Sequence, residues 1–593
     1  MLPTADRFTP RYQLIILVLL ALVLNANTLL NKYALDDIVV LTENRFVEKG
    51  VHGIPEILVN DYVSGYSAKE NILSGARYRP LSLILFALEF QLFGAKPLVS
   101  HLINLLLLMG LVVVLFHLLK SHLFRFQNKY LAFITCLLFV AHPIHTEVIA
   151  NVKSRDEIMT MILLIGSFLY FLRYKEQGSL WPACISMLLY FLALLTKETA
   201  ITFIGVFPLL LYYFYHKSVK ESLLSMVPFI LVLTGYFLLR FLIVGLNHYP
   251  VDDVTNSPYL YASAGESFAT KVFVLFKYLW VLISPRFLCS DYGYNQIPYI
   301  QLNSLQFTGS FILTGGLILI ACLTFRERSL ISFCIFYFYI TLALGTNFIV
   351  DLGTPMAERM LFLPSLAFCI ALAMLICRAF ESYSTLAAFV LGFLLIFYSI
   401  RTISRNSDWE DNRSLFLTDV NTSPNSARLN LFASEQYCLL ANTETNTAVK
   451  NDYLNKAVIF GERSLNIYPK FAYTYLRVGL ANYQKGNYLR AADLWQKAHQ
   501  LNLKDSLTNK WVGMIGSVLV NEGSVLSGRG QRDKAMEYYK KALLVNPADA
   551  DAWYLMGGEL YANHDSVMAE QAWRQVIRLQ PEHVLRRTDF VHN

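Results

Sequence analysis

Apolar runs close to 20 residues long recur between residues 12 and 401, and after residue 402 the chain turns polar and helix-periodic. About 20 apolar residues are what a helix needs to cross ~30 Å of hydrocarbon. The pattern therefore predicts an all-α protein, a polytopic transmembrane domain followed by a soluble helical domain. Eleven spans are expected, at 12–30, 97–119, 130–142, 156–172, 180–195, 200–215, 222–246, 308–325, 330–346, 359–377 and 384–400. The run "KVFVLFKYLWVLISP", 271–285, is short and carries two lysines. Counting it as a span would invert the charge pattern of every later loop, so a re-entrant or interfacial helix is expected there. Arg7 and Arg11 precede the first apolar run in the manner of a signal peptide. The run is longer than a usual signal core and more spans follow it, which predicts an uncleaved first helix.

The polar tail repeats itself. Gly479, Gly523 and Gly557 are followed 12 residues later by Ala491, Ala535 and Ala569, and 4 residues after those by Trp495, Tyr539 and Trp573. Ala498 and Ala542, and Pro547 and Pro581, recur in the same frame, and a degenerate unit with Ala457 and Pro469 precedes them. This is the tetratricopeptide spacing. Small residues let paired helices approach, and the aromatics fill the space between neighbouring units. Such arrays mostly present a concave surface to peptides or proteins, and a structural cap is the plain alternative. The expected division is a membrane domain 1–401, whose first extracytoplasmic loop is 31–96, a linker 402–424, and a repeat domain 425–593.

Composition agrees with this reading. The chain is 55% hydrophobic and 16% charged, against about 25% charged in soluble proteins. A net charge of +7 without a basic stripe gives no reason to expect nucleic acid. With the N-terminus inside, the inside segments hold Arg7, Arg11, Lys120, Arg125, Lys129, Arg173, Lys175, Lys217, Lys220, Arg326, Arg328 and Arg378. The short outside loops hold fewer basic residues, which supports that orientation. It places 31–96 and the repeat domain on the outside. The 8 cysteines lie mostly within spans, apart from Cys289 and Cys438, and form neither a disulfide framework nor a metal-ligand spacing.

Polar residues gather at the outside ends of the spans. Asp36 and Asp37 follow the first span; Arg77 and Arg79 precede an apolar stripe. "HPIHTEVIANVKSRDE" carries His142, His145, Glu147, Arg155 and Asp156, and later loops add Lys197, Glu198, Asp291, Tyr292, Glu358 and Arg359. Ionisable groups at membrane depth are costly and tend to be functional. Each also has an ordinary reading. The two arginines suit anchoring among lipid phosphates, the histidines suit satisfied hydrogen bonding better than metal ligation, and the Lys–Glu and Glu–Arg pairs suit helix-end charges. Taken together on one face, they predict a polar site. Arginine and lysine there suit a lipid-linked phosphate, and a carboxylate suits a general base. Adjacent acids either raise one pKa or hold a divalent cation, and the residues leave both open.

"YRPLSL", "HPIHTEVIANVKSR", "TKETAIT", "ERMLFLPS" and "WEDNRSLFLTDVNTSPNSARL" resemble the transmembrane and tetratricopeptide repeat-containing O-mannosyltransferases, of the GT-C glycosyltransferase superfamily, from about residue 30 to the end. The resemblance implies a GT-C-type membrane domain, a polyprenyl-phosphate-linked sugar donor as substrate, and transfer of a mannose-like sugar to Ser or Thr of extracytoplasmic proteins. It matches Asp36 and Asp37 to the acidic catalytic position, with Mg or Mn between them as an open alternative. Arg79, Arg155, Lys197 and Arg359 are the expected holders of the donor phosphate. Arg77, His142, His145, Glu147, Asp156, Glu198, Asp291, Tyr292 and Glu358 are expected to bind or orient sugar and acceptor, which the repeats would recruit. Met360 and Phe362 stand where the family tends to have tyrosines, "VKSR" lacks an expected glycine, and the repeat array is short. A short array suits a bacterial inner membrane better than an endoplasmic reticulum membrane. Transfer of a preassembled glycan to protein, lipid or cell-wall polymer, and a non-enzymatic membrane-anchored scaffold, are the alternatives.

Overall fold

The computed structural model describes residues 9–66, 77–245, 254, 256–502 and 506–580. Arg7 and Pro581, used above, lie outside the described residues. Among the described residues every regular element is helical, and the β-pairing is one isolated bridge between Asn44 and Tyr66. The chain divides into two units, one ending at Pro424 and the other starting at Asn425.

The first unit surrounds a large apolar core, within which every residue of Leu131–Ala141 is buried. Its outer helices are apolar without being covered. Only 11% of the most apolar stretch of Val219–Val244 is buried, and 17% of those of Leu305–Leu323 and Ser384–Asp408. Helices apolar on an uncovered face need lipid as solvent, so this is an integral membrane protein. Seven runs are long and apolar enough to cross. They correspond to expected spans 12–30, 97–119, 156–172, 222–246, 308–325, 359–377 and 384–400. The other expected spans form shorter helices, Leu131–Ala141, Leu180–Thr196, Phe203–Phe214 and Leu330–Leu342. The first of these joins Pro143–Ala150 through a 53° bend. The cause is local. Pro143 drives its predecessor out of the helical region, and His142 sits at φ −65° and ψ 122°.

One expectation is narrowed and another corrected. The segment around 271–285, expected as re-entrant or interfacial, is a single uninterrupted helix, Ala264–Ile283, opened by a capping box between Ser263 and Glu266, with no reversal of the chain inside it. Residues 402–424, expected as a linker, are folded into the first unit. Ser384–Asp408 runs on through them, and Asn412–Thr422 follows. Arg405, fully buried, donates to both carboxylate oxygens of Asp419 at 2.6 and 3.0 Å, and Trp409 is sealed beside them. The polar sequence there reflects a buried ion pair, not solvent. Within the expected first loop, Pro80–Phe93 forms a helix with proline at its first position, ended by Gly94 at φ 69°.

The second unit consists of antiparallel helix pairs: Ala427–Thr443 with Thr447–Ile467, Ala472–Gln484 with Tyr488–Leu501, Ser506–Gly528 with Arg532–Val545, and Ala550–Ala562 with Ser566–Leu579. The repeat glycines explain the spacing. Gly479 lies against Trp495, Gly523 against Tyr539 and Gly557 against Trp573, so closely that a Cβ would collide with each ring. Trp495 is fully buried and donates its Nε1–H to the Leu476 carbonyl at 2.9 Å, which fixes the ring where a side chain at 479 would stand. Gly479→Ala should therefore destabilise the second unit by about 1–3 kcal/mol through overpacking, despite alanine's better helix propensity. Limited proteolysis of the full chain should show faster cleavage within 425–593; unchanged cleavage would contradict this packing.

Candidate functional site

The site begins where the first helix ends. Pro10–Asn25 passes into a turn at Ala26–Leu30, and the chain is then strapped to the region after Ser384–Asp408. Asn31 donates to the Asn406 carbonyl at 2.9 Å, the Lys32 amide to Glu410 at 2.7 Å, and the Leu35 amide to Asn412 Oδ1 at 2.6 Å. Leu35 adopts φ 55°, a costly conformation for a leucine. Asp36 and Asp37 follow at once and are sent in different directions.

Asp37 is fully buried, and its carboxylate accepts backbone N–H groups from Ala34 (3.1 Å) and Lys153 (2.7 Å). It staples the first loop to the turn Val152–Ser154. Asp36 keeps 46% of its side chain accessible, with Lys153 Nζ at 3.4 Å. Its carboxylate is thus open on one side and has protein charges on the other, which together make a charged recess. Burial pushes Asp36 upward, but the charge of Lys153, then those of Arg359 and Arg77, outweigh it and hold the carboxyl below its usual range. Burial pushes Asp37 up to about 7 against the N–H donors of Lys153 and Ala34, with the charge of Asp36 adding to the rise.

Cations from three parts of the chain, Lys153, Arg359 and the neighbours Arg77 and Arg79, gather near Asp36. Arg79 pairs with Asp156 (2.9 Å) and Glu198 (2.7 Å), and lies 5.4 Å over the ring of Tyr62. Arg359 pairs with Glu147 at 2.5 Å, and its backbone N–H reaches the other Glu147 oxygen at 2.8 Å. Arg79 and Arg359 keep 11% and 19% of their side chains accessible, so neither is fully enclosed, and Arg359 is within electrostatic reach of Asp36. Arg77 is partly accessible and within electrostatic reach of Arg79, Glu198, Asp36 and Arg359. Its guanidinium makes no ion pair or hydrogen bond among the described residues, and it is the one cation of this set left for a ligand. Burial lowers Arg77, and the nearby Arg79 charge adds to that.

Other expected site residues are placed away from the recess or used up. Arg155 is buried with its donors spent on Asn104 Oδ1 (2.6 Å), Glu89 (2.5 Å) and the Ser100 carbonyl (2.9 Å). It braces the turn that carries Lys153, with all three guanidinium nitrogens engaged inside the protein. Lys197 is likewise enclosed between Asp156 (2.7 Å) and Glu157 (2.8 Å). His142 accepts from the Ile144 amide, bonds the Leu282 carbonyl at 3.0 Å and lies tilted against the ring of Tyr398. His145 bonds Ser365 at 2.8 Å between Phe139 and Phe362. Both rings are buried packing groups. Asp291 caps its own turn at Gly293, and Tyr292 donates to Glu358 at 2.7 Å. These three belong to the buried network that includes Arg405 and Asp419.

Lys153 and Tyr62 were not picked out from the sequence, and nothing in their spacing distinguishes them. Lys153 stands in a run already rich in charge, and the fold alone aims it at Asp36. The pair Asp36–Asp37 does not fit a divalent cation. Asp37 spends its oxygens on backbone N–H groups and Asp36 faces Lys153. Among the described residues no three His, Cys, Asp or Glu side chains converge as a metal site.

Comparison with known proteins adds particular relatives. No family model matches the chain. It is similar to protein O-mannosyl-transferase TMTC3 of Homo sapiens, at 23% identity over 93% of this chain and 62% of that protein. It is also similar to TMTC1 of Homo sapiens, at 27% over 75% of this chain and 54% of that one, and to F38B6.6 of Caenorhabditis elegans, at 24% over 70% and 58%. The chain thus spans 62% or less of the length of these relatives. Among solved structures, the apo oligosaccharyltransferase of Archaeoglobus fulgidus aligns with 78% of this chain and 60% of its own, at 13% identity and a TM-score of 0.38.

Glu358 offers a test of the network beside the recess. Its Oε1 accepts from the Cys289 amide (2.5 Å) and Tyr292, while Oε2 is buried without a partner among the described residues. Burial raises it from 4.5 to about 8 against the charge of Arg405, with Glu147 adding to the rise. The folded state then holds a proton that the unfolded state has lost, so this contribution is full below about pH 4.5 and is lost as pH rises through 8. Glu358→Gln, isosteric with the protonated acid, should match wild type near pH 4 and gain relative stability progressively as pH rises from there to 9. Thermal unfolding in detergent across that range reads it; a variant that is markedly less stable at pH 6 would show that the carboxylate form is the native one.

Proposed function

We propose that this protein is a membrane glycosyltransferase that moves a mannose-like sugar from a polyprenyl-phosphate donor to Ser or Thr hydroxyls of proteins. The observation that carries the reading is the recess itself, where an accessible Asp36 stands among Arg77, Arg79 and Arg359, with Arg77 unpaired. The similarity to proteins named O-mannosyl-transferases supports the choice of sugar and acceptor class.

The chemistry follows from the charges. Arg77, with Arg79 and Arg359 beside it, receives the donor phosphate; Arg77 replaces Arg155 and Lys197, whose donors are taken up elsewhere. Planar guanidinium groups suit two-pronged hydrogen bonding to phosphate oxygens. Asp36 accepts the proton of the acceptor hydroxyl as its oxygen bonds to the anomeric carbon. The bond from that carbon to the phosphate oxygen breaks in the same displacement, inverting the configuration, and the electron pair leaves with the phosphate. Because Asp36 is held below the usual carboxylate range, it is ionised at neutral pH and is a weak base. Proton transfer then comes late, and compensation of the leaving phosphate carries much of the rate. Asp37 positions Asp36 through the backbone. The repeat unit supplies a surface for the acceptor protein.

The test is transfer by purified full-length protein from polyprenyl-phosphate mannose to a Ser/Thr-containing acceptor. Asp36→Asn should lower the rate by about 100-fold or more while donor still binds. Arg77→Ala should weaken donor affinity by about tenfold or more, the loss of one charge-assisted hydrogen bond. Wild-type transfer by the first variant would remove Asp36 as the base. Wild-type affinity in the second would remove Arg77 from the phosphate site.

A further inference from the structure

A second cationic feature lies on the same membrane face as Asp36 but outside the recess. The end of Ser384–Asp408 is tied to the start of the first loop, since Asn27 donates to the Ile403 carbonyl at 2.9 Å and Asn31 to that of Asn406 at 2.9 Å. One turn earlier stands Arg401. Its Nε is buried with no hydrogen-bond partner, and no ion pair or hydrogen bond engages its guanidinium among the described residues. A buried charged donor left unmade is expensive, so the position calls for a ligand.

Arg286 stands within electrostatic reach of it. His142 brings the two segments together, bonding the Leu282 carbonyl with its ring 4.6 Å from that of Tyr398. Arg286 is exposed, packs on Phe287 at 5.2 Å and has no ion pair among the described residues. The other charges near Arg401 are committed. Arg405 holds Asp419 and Asp408, the latter at 3.2 Å, and Glu358 accepts from Cys289 and Tyr292. The surroundings are apolar and uncovered: Trp280, Ile283 and Phe287 on one segment, and Ile396, Ile400 and Ile403 on the other, are each more than 40% exposed.

Two unpaired guanidinium groups, set where exposed apolar helix surface gives way to polar loops, match a lipid whose tails lie along the helices and whose phosphate sits at the boundary. We infer that Arg286 and Arg401 bind the headgroup phosphate of an anionic phospholipid from the surrounding leaflet. The site is separate from the proposed donor site and does not depend on the reaction proposed for it.

The test uses full-length protein purified in mild detergent, with bound lipid measured by native mass spectrometry. The double variant Arg286→Gln, Arg401→Gln should retain about tenfold less anionic phospholipid than wild type, or lower still. In a second measurement, phosphatidylglycerol added to delipidated wild type should raise its melting temperature, and inorganic phosphate at equal concentration should not. This arm decides the matter even where the double variant fails to fold. Equal phospholipid retention by a folded variant, or no shift with phosphatidylglycerol, overturns the inference. An equal shift with inorganic phosphate also overturns it, in favour of a soluble anion. Selective loss of polyprenyl phosphate from the variant overturns it in favour of the sugar donor.

Discussion

The two backbone N–H groups that Asp37 accepts, from Ala34 and Lys153, fix the geometry on which the rest of the recess depends. They join the first loop to the turn Val152–Ser154, so the direction of Asp36 and the position of Lys153 are set by the same carboxylate. Neighbouring residues of an extended or turning chain project differently, and burying one acid leaves the other free to face the recess. The pair that looked equivalent as letters is divided into a brace and an open group. Leu35 at φ 55° is part of the same constraint, since the strapped chain has little room to relax it.

Around this brace the protein manages charge in a medium where isolated ions are costly. Arg155, Lys197 and Arg405 are each enclosed by partners and act as structural cations that hold helices to loops. Arg79 and Arg359 are paired on one side and accessible on the other. Among the described residues Arg77 has no partner in the recess and Arg401 none at the membrane boundary. This gradient, from fully compensated to uncompensated, separates scaffold from ligand-facing groups more sharply than residue type does.

Much of the fold was legible in the pattern. Apolar runs located the seven long helices, and the glycine-to-aromatic spacing located helix pairs that the collisions at Gly479, Gly523 and Gly557 explain. The shorter expected spans are harder to read because an apolar run measures burial, not length: Leu131–Ala141 is apolar throughout and enclosed by protein. The stretch 402–424 was read as a linker because a polar sequence does not reveal whether its charges meet each other, as Arg405 and Asp419 do. The site was legible as a list of charged loop residues and not as an arrangement. Arg155 and Lys153 are two positions apart, yet one is a brace and the other faces Asp36, and only the turn between them decides which.

The central claim is the division of labour between Asp36 and Asp37. It is tested most directly by comparing thermal unfolding of Asp36→Asn and Asp37→Asn in the full-length protein at one pH. The account predicts that Asp36→Asn loses less stability than Asp37→Asn, because its partly accessible side chain supports no backbone and gives up only its attraction to Lys153, Arg359 and Arg77. Asp37→Asn should lose stability by about 1–3 kcal/mol, because an amide cannot accept both N–H groups with the same geometry. The reverse pattern, a stable Asp37→Asn and an unstable Asp36→Asn, would contradict it.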